Sequence, residues 1–334
     1  MKIIYLFRSK LHYGYSIENV FSTIIKNIQK SYEIQIFNLP KTTTSILNIV
    51  KNICFLRKIP KNGIVHITGD IHYVALFLKR KRTVLTIHDL VSVKNNKGLK
   101  KFIIDLFWYR LPLLKLKYIT VVSEKTKKEL VNRYPFAKNK IIVIENPVDD
   151  RFVFEVKNID KNLPILLQIG TTENKNLIRI IKAIRDIRCK LYIIGKLNNE
   201  QKETLEKYKI NYENSYNLSE EEIVEKYRQA DIILFASTYE GFGMPIIEGQ
   251  AVGRAVITSN ISPMKEVADG GAHLVDPFSE LSIKKGILKL LNDDNYRNKI
   301  IERGLINSKK YSSEKIAQKY EKLYKTIMKG SNND

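Results

Sequence analysis

Three observations predict a pair of doubly wound α/β domains, Rossmann-like and arranged in tandem. Short apolar, β-branched runs alternate with helical stretches, the alternation stops at the turn-rich Asn146-Pro147-Val148-Asp149-Asp150 and restarts, and 334 residues exceed the usual span of one core. In the first half, strands are predicted at 3–7, 34–37, 65–68, 83–87, 119–122 and 141–144, with helices after Ser16, near 101–114 and from about Glu124. In the second half, strands are predicted at 165–169, 191–194, 232–235, 255–258 and 274–275. Such alternation makes each sheet parallel, with ligand expected in a cleft at the strands' C-terminal ends. Domains at 1–150 and 151–310 follow. Beyond them, Ile316, Ala317, Tyr320, Leu323, Tyr324 and Ile327 form one apolar stripe, predicting a helix over about 313–328, and the tail 330–334 should be loose.

Composition narrows the class. The chain is 44% hydrophobic and 10% aromatic, enough for ordinary cores, but no run approaches the roughly 18 apolar residues that span a bilayer. The opening M-K-I-I-Y-L-F-R-S-K is charged too early for a secretory signal and reads as a strand. Cys54 and Cys189 lie in apolar surroundings without ligand-like spacing, as expected for reduced core thiols of a cytoplasmic protein. Of the net charge of +22, residues 1–150 carry +17, with 27 Lys and Arg against 10 Asp and Glu. An anionic partner is therefore expected at the first half, and charge alone leaves nucleic acid, an anionic membrane surface and an anionic acceptor open.

The segment with the most chemistry is S-T-Y-E-G-F-G-M-P-I-I-E-G-Q, residues 237–250. A buried strand precedes it, Pro245 suits the first turn of a helix, and Gly253 suits that helix's stop. Gly241 and Gly243 let the backbone approach a ligand, and their amides with the helix N-terminus make a pocket for negative oxygens. Glu240 and Glu248 flank that pocket, seven residues lying between them. Two carboxylates ill suit bare phosphate but suit an anion carried on hydroxyl-rich groups, as in a nucleotide sugar.

Spacing and residue types together resemble the donor-site motif of glycosyltransferase family 4, retaining enzymes of the GT-B fold. The segments V-V-S-E-K-T-K-K-E-L at 121–130, E-N-P-V-D at 145–149 and Y-R-Q-A-D-I-I-L-F-A-S at 227–237 follow in that family's order. The resemblance implies two domains facing a cleft, a last helix (311–330) crossing back to the first domain, and metal-independent sugar transfer from a nucleotide-sugar donor. Glu240 would sit at the sugar, Glu248 at the ribose, and Gly241, Phe242, Gly243 and Met244 along the donor. Strand 165–169 ends at Gly170, and in the loop T-T-E-N-K-N that follows, Lys175 stands at a helix start, where a cation opposes the dipole unless an anion is near. Asn174 or Asn176 would cap that helix. Lys175 matches the family's diphosphate-binding lysine, whereas Thr171 stands where an Arg is often found and could offer its hydroxyl to phosphate. Gly170 and Gly195, each closing a strand, join the substrate-binding set. His88, in the strand-H-D context of V-L-T-I-H-D-L, resembles the family's sugar-contacting histidine, and His66 closes a similar strand facing the cleft. The stretch Tyr13-Gly14-Tyr15-Ser16-Ile17-Glu18 occupies the place of an acceptor-side loop. No metal and no cofactor are expected.

Three functional readings remain at this point: a retaining glycosyltransferase with a glycan or lipid-linked acceptor, cytoplasmic and peripheral at the inner face of the plasma membrane; a nucleic-acid-binding protein; and another GT-B enzyme such as a nucleotide-sugar epimerase. The second leaves both glutamates unexplained, because carboxylates repel a phosphodiester backbone.

Overall fold

The computed structural model describes residues 2–9, 16–43, 45–94 and 96–330. Tyr13, Gly14 and Tyr15 of the expected acceptor-side loop lie outside them, as do residues 331–334 of the tail. The chain divides into two compact units, Met1–Pro147 with Ser313–Asp334, and Val148–Ser312.

The first unit carries β1 (Lys2–Phe7), β2 (Glu33–Asn38), β3 (Ile64–Ile67), β4 (Thr83–Ile87), β5 (Tyr118–Val121) and β6 (Ile141–Val143), all parallel, in the order β2-β1-β3-β4-β5-β6. The strands that sequence predicts in this half are present to within one residue or so at each end, because near-continuous Ile, Val and Leu suit strands covered on both faces. The helix expected at 101–114 is longer and interrupted: Gly98–Ile104 and Leu111–Lys115 flank a π-helical stretch, Asp105–Arg110. Cys54, expected in a core, is exposed, because it lies on the outer face of the helix Ile46–Phe55. Cys189 is buried, and burial pushes its thiol up to about 11.

The helix Ser313–Lys329 packs within this first unit, against Ser16–Ile28. Its whole apolar stripe is buried, from Ile316 to Ile327. Tyr324 reaches into the sheet, its hydroxyl 2.6 Å from His66 Nδ1 and 3.0 Å from Tyr5 Oη. His66 is accordingly a core residue and not a cleft residue: it is fully buried, its Nε2 lies 2.7 Å from Thr86 Oγ1, and desolvation lowers its pKa to about 3. Every position of β3 is buried, so no face of that strand is left for a ligand.

The second unit carries β7 (Ile165–Ile169), β8 (Lys190–Ile194), β9 (Tyr212–Ser215), β10 (Ile232–Phe235), β11 (Ala255–Ser259) and β12 (His273–Val275), parallel and ordered β12-β11-β10-β7-β8-β9. This is the classic dinucleotide-fold order, reversing between β7 and β10. Sequence missed β9 because Y-E-N-S is a polar edge strand without an apolar run.

Candidate active site

The reversal of strand order in the second unit puts two loops side by side: residues 170–176 after β7 and residues 236–243 after β10. Connections leave β7 and β10 in opposite directions along the sheet, so a crevice opens between them at their C-terminal ends. Hydrogen bonds fasten the loops together. Thr238 N donates to Asn174 O at 2.8 Å, Asn174 Nδ2 to Tyr239 O at 2.9 Å, and the buried Asn176 Nδ2 to Ala236 O and Pro277 O at 2.8 and 2.7 Å. Asn176 has φ 64° and precedes the helix Leu177–Ile184 without capping it; its amide is spent on the neighbouring loops, contrary to the role expected for it. Asn174 makes no helix cap either.

Across this crevice Lys175 Nζ lies 2.7 Å from Glu240 Oε1 and 4.8 Å from the centre of the Phe235 ring. Asn174 Nδ2 approaches the same carboxylate oxygen at 3.4 Å. The anion that sequence demands beside Lys175 is thus present within the protein. The lysine stem lies over Gly170, where a Cβ would stand 2.9 Å from Lys175 Cγ; at φ +87°, glycine is needed on both counts.

Behind this pair, the helix Met244–Val252 starts from Gly243 (φ 116°), where the flanking Ile246 and Phe235 leave little room for a side chain, and stops at Gly253 (φ 77°). Glu248 sits in its second turn and accepts a hydrogen bond from the buried Tyr227 hydroxyl. Desolvation raises the Glu248 carboxyl to about 7, while the Tyr227 hydrogen bond and the Lys175 charge pull it down. Tyr227 is itself held edge-on against Phe152, ring centres 5.1 Å apart.

Gly195 (φ +136°) closes β8 beside Thr171: a Cβ there would come within 2.9 Å of Thr171 Cγ2. Its neighbour's hydroxyl is committed elsewhere, since Thr171 Oγ1 donates to Lys196 O at 2.7 Å. To donate to a phosphate oxygen, Thr171 would turn its hydroxyl away from Lys196 O. Phe242 is 4% exposed and lies edge-on to Tyr311 at 5.6 Å, while Gly241 and Met244 on either side of the buried Phe242-Gly243 pair are partly exposed.

In the first unit, the C-terminal ends of β1, β3 and β4 bring up Arg8, Asp70 and His88. Arg8 makes a fork to Glu18, Nε to Oε1 at 2.7 Å and Nη2 to Oε2 at 2.9 Å, and its Nη1 lies 3.5 Å from Asp70. His88 is half-buried, edge-on to Phe21, and its Nε2 donates to Thr68 O at 2.9 Å. A carbonyl can only accept, so Nε2 carries a proton in this bond.

Residues 149–305 match the family model described as Glycosyl transferases group 1, and residues 31–152 match that of Glycosyltransferase Family 4. The chain belongs to glycosyltransferase family 4. Among relatives of this enzyme, the capsular polysaccharide biosynthesis glycosyltransferase CapM of Staphylococcus aureus is 24% identical over 81% of this chain and 76% of its own. O-antigen chain mannosyltransferase B of Escherichia coli is 32% identical, but over 32% of this chain and only 28% of its own. The fold agrees with that of sucrose-phosphate synthase from Thermosynechococcus elongatus (TM-score 0.82, 14% identity, covering 99% of this chain and 100% of that one). It agrees equally with Anabaena HepE in complex with UDP and glucose (TM-score 0.79, 15% identity, covering 98% and 100%). This glycosyltransferase accordingly has the two-domain GT-B fold.

For this family 4 enzyme, sequence reasoning gave Asn174 and Asn176 the wrong task, capping instead of joining the loops, and did not single out Tyr227, which holds Glu248, or the Arg8–Glu18 fork of the first unit. The run E-N-K-N carries a signal for the first two, since Asn tolerates left-handed backbone and bonds neighbouring amides. Tyr227 carries none, being one aromatic residue in a charged helix. Among the described residues, no group of three or more His, Cys, Asp or Glu stands together as metal ligands would.

Proposed function

We propose that this glycosyltransferase moves a sugar from a nucleotide-sugar donor, bound in the β7–β10 crevice of the second unit, to a glycan or lipid-linked acceptor. The observation that carries this reading is the Lys175–Glu240 pair set across the crevice between two strand ends, with Glu248 on the adjoining helix. Lys175 and the amides at the start of the helix Met244–Val252 would stabilise the departing diphosphate, whose charge grows as the sugar's anomeric bond stretches. Glu240 would then exchange Lys175 for sugar hydroxyls, and Glu248 would accept the ribose hydroxyls. His88, at the C-terminal end of β4, would contact sugar hydroxyls, the role that the family resemblance gives it. Transfer proceeds with retention and without a metal ion in this reading, by attack of the acceptor on the face the diphosphate leaves.

The relatives' names point to cell-surface polysaccharide or lipopolysaccharide as the product class. The basic first half, at net +17 over residues 1–150, would suit an acceptor on an anionic membrane surface, with the enzyme peripheral at the inner face of the plasma membrane. Thermal shifts with UDP, GDP, dTDP and ADP would identify the donor base, because ligand bound to the folded state raises its stability. Product configuration by NMR, with and without chelator, tests the chemistry: an inverted product overturns retention, activity abolished by chelator overturns metal independence, and isomerised donor without transfer makes it an epimerase.

A further inference from the structure

The interrupted helix 98–115 of the first unit shows two unlike faces. Inward, Tyr109, Pro112 and Leu113 are buried, and Trp108 donates from Nε1 to Asp70 O at 2.8 Å while its ring lies 4.8 Å from that of Tyr73. Outward, Leu99, Ile103, Phe107 and Leu114 are exposed at helical spacing, with Phe102 beside them; Leu99 is 73% exposed and Phe102 61%. Five large apolar side chains on one surface helix exceed the scattered exposure that any soluble surface shows. Tyr73 also joins this helix to a second one: Asn52 of Ile46–Phe55 donates to the Tyr73 hydroxyl at 3.0 Å. That neighbouring helix exposes Ile46, Leu47 and Val50, Ile46 at 80%.

The charges around these apolar residues have one sign. Residues 97–117 carry six Lys and Arg and a single acid, Asp105, which Arg133 and Tyr134 hold; residues 45–61 carry four and no acid. Apolar side chains standing among cations at helical spacing match the interface of an anionic bilayer, where the apolar groups enter the headgroup boundary and the cations meet lipid phosphates. A second copy of the chain would instead bring two cationic faces together.

The geometry points to a membrane-docking surface on the first unit, formed by helix 98–115 and the exposed edge of Ile46–Phe55, whose partner is an anionic lipid bilayer. It rests on the proposed membrane acceptor, and it assigns the contact to named side chains. Trp108, the only tryptophan, lies within this helix and reports on it directly. The full chain is sedimented with vesicles of phosphatidylglycerol and phosphatidylcholine, and with phosphatidylcholine alone, and Trp108 emission is followed with brominated lipid. Wild type is expected to bind only the anionic vesicles, with Trp108, which faces inward onto Tyr73, only partly quenched by bromine. A Leu99→Ser/Phe102→Ser/Phe107→Ser variant should lose at least about tenfold in vesicle affinity, and Lys97→Gln/Lys100→Gln several-fold, as expected when inserted groups and surface cations each contribute. Nucleoside-diphosphate thermal shifts are measured on the same proteins: they should be unchanged, and their absence in wild type would sink the donor-site reading separately. Equal binding to neutral vesicles, undiminished binding by both variants, or a wild-type dimer that the triple variant turns into a monomer would each overturn the proposal.

Discussion

Lys175 and Glu240 neutralise one another at 2.7 Å, so a donor diphosphate entering the crevice competes with a carboxylate already in place. Glu240→Gln should therefore leave nucleoside-diphosphate affinity unchanged or a few-fold tighter while lowering turnover strongly, the separation expected of a group acting on the sugar in the transition state. Lys175→Ala should weaken the same affinity roughly ten- to a hundredfold, the loss of a hydrogen bond to a charged partner at about 1.5–3 kcal/mol. Isothermal titration with nucleoside diphosphates beside steady-state kinetics checks both; equal losses in the two variants would count against the division of roles. Glu248 gives a pH signature. Its carboxyl is raised to about 7 from an ordinary 4.5. The folded state therefore holds this proton more tightly than the unfolded chain, so its contribution is fully present below about pH 4.5 and is lost as pH rises through about 7. Glu248→Gln removes that loss, so its stability relative to wild type should rise between pH 4.5 and 8 by at most about 3 kcal/mol, less where water reaches the group. Denaturant unfolding at several pH values measures it. Sequence placed Lys175 beside an anion by dipole reasoning but could not say whose, since the partner lies 65 positions away and only the sheet order brings it near.

At the scale of elements, the loop 170–176 is shaped by residues that no periodicity marks. Asn176 spends both amide protons on Ala236 O and Pro277 O while holding φ 64°. Asn176→Gly retains the backbone and loses both bonds, so thermal unfolding should show a loss of about 1–3 kcal/mol and donor affinity should fall with it. A variant that keeps full stability would remove Asn176 from the loop's support. Gly195→Ala should act through shape alone, driving a Cβ at φ +136° into Thr171. The strands and the helix Met244–Val252 were legible because apolar runs, Pro245 and Gly253 are local signals; β9 and the π-helical stretch 105–110 were not, the one for want of apolar residues and the other because an inserted turn leaves the residue pattern helical.

In the whole molecule, the units are not consecutive in sequence. The first needs the helix Ser313–Lys329, whose Tyr324 satisfies His66 and Tyr5 in its core, and the chain passes between units at 147/148 and again at 312/313. Residues 148–312 expressed alone should unfold cooperatively, whereas 1–147 should not unless 313–330 is joined to it; circular dichroism melts of the three fragments decide this, and a stable 1–147 would contradict it. The two passages lie side by side, Val148 N donating to Tyr311 O at 2.8 Å. The alternation of strand and helix revealed both sheets from sequence, but which sheet the helix covers depends on contacts more than 250 positions apart.

That arrangement bears on how the protein is made. A ribosome delivers the first sheet long before the helix that covers it, so Phe21, His66 and Tyr5 must wait uncovered while the whole second unit emerges and folds. The half synthesised first is finished last. Any pause or damage during translation of residues 148–312 leaves an open, basic, aromatic-rich sheet, the kind of surface that chaperones hold and that aggregates when they do not.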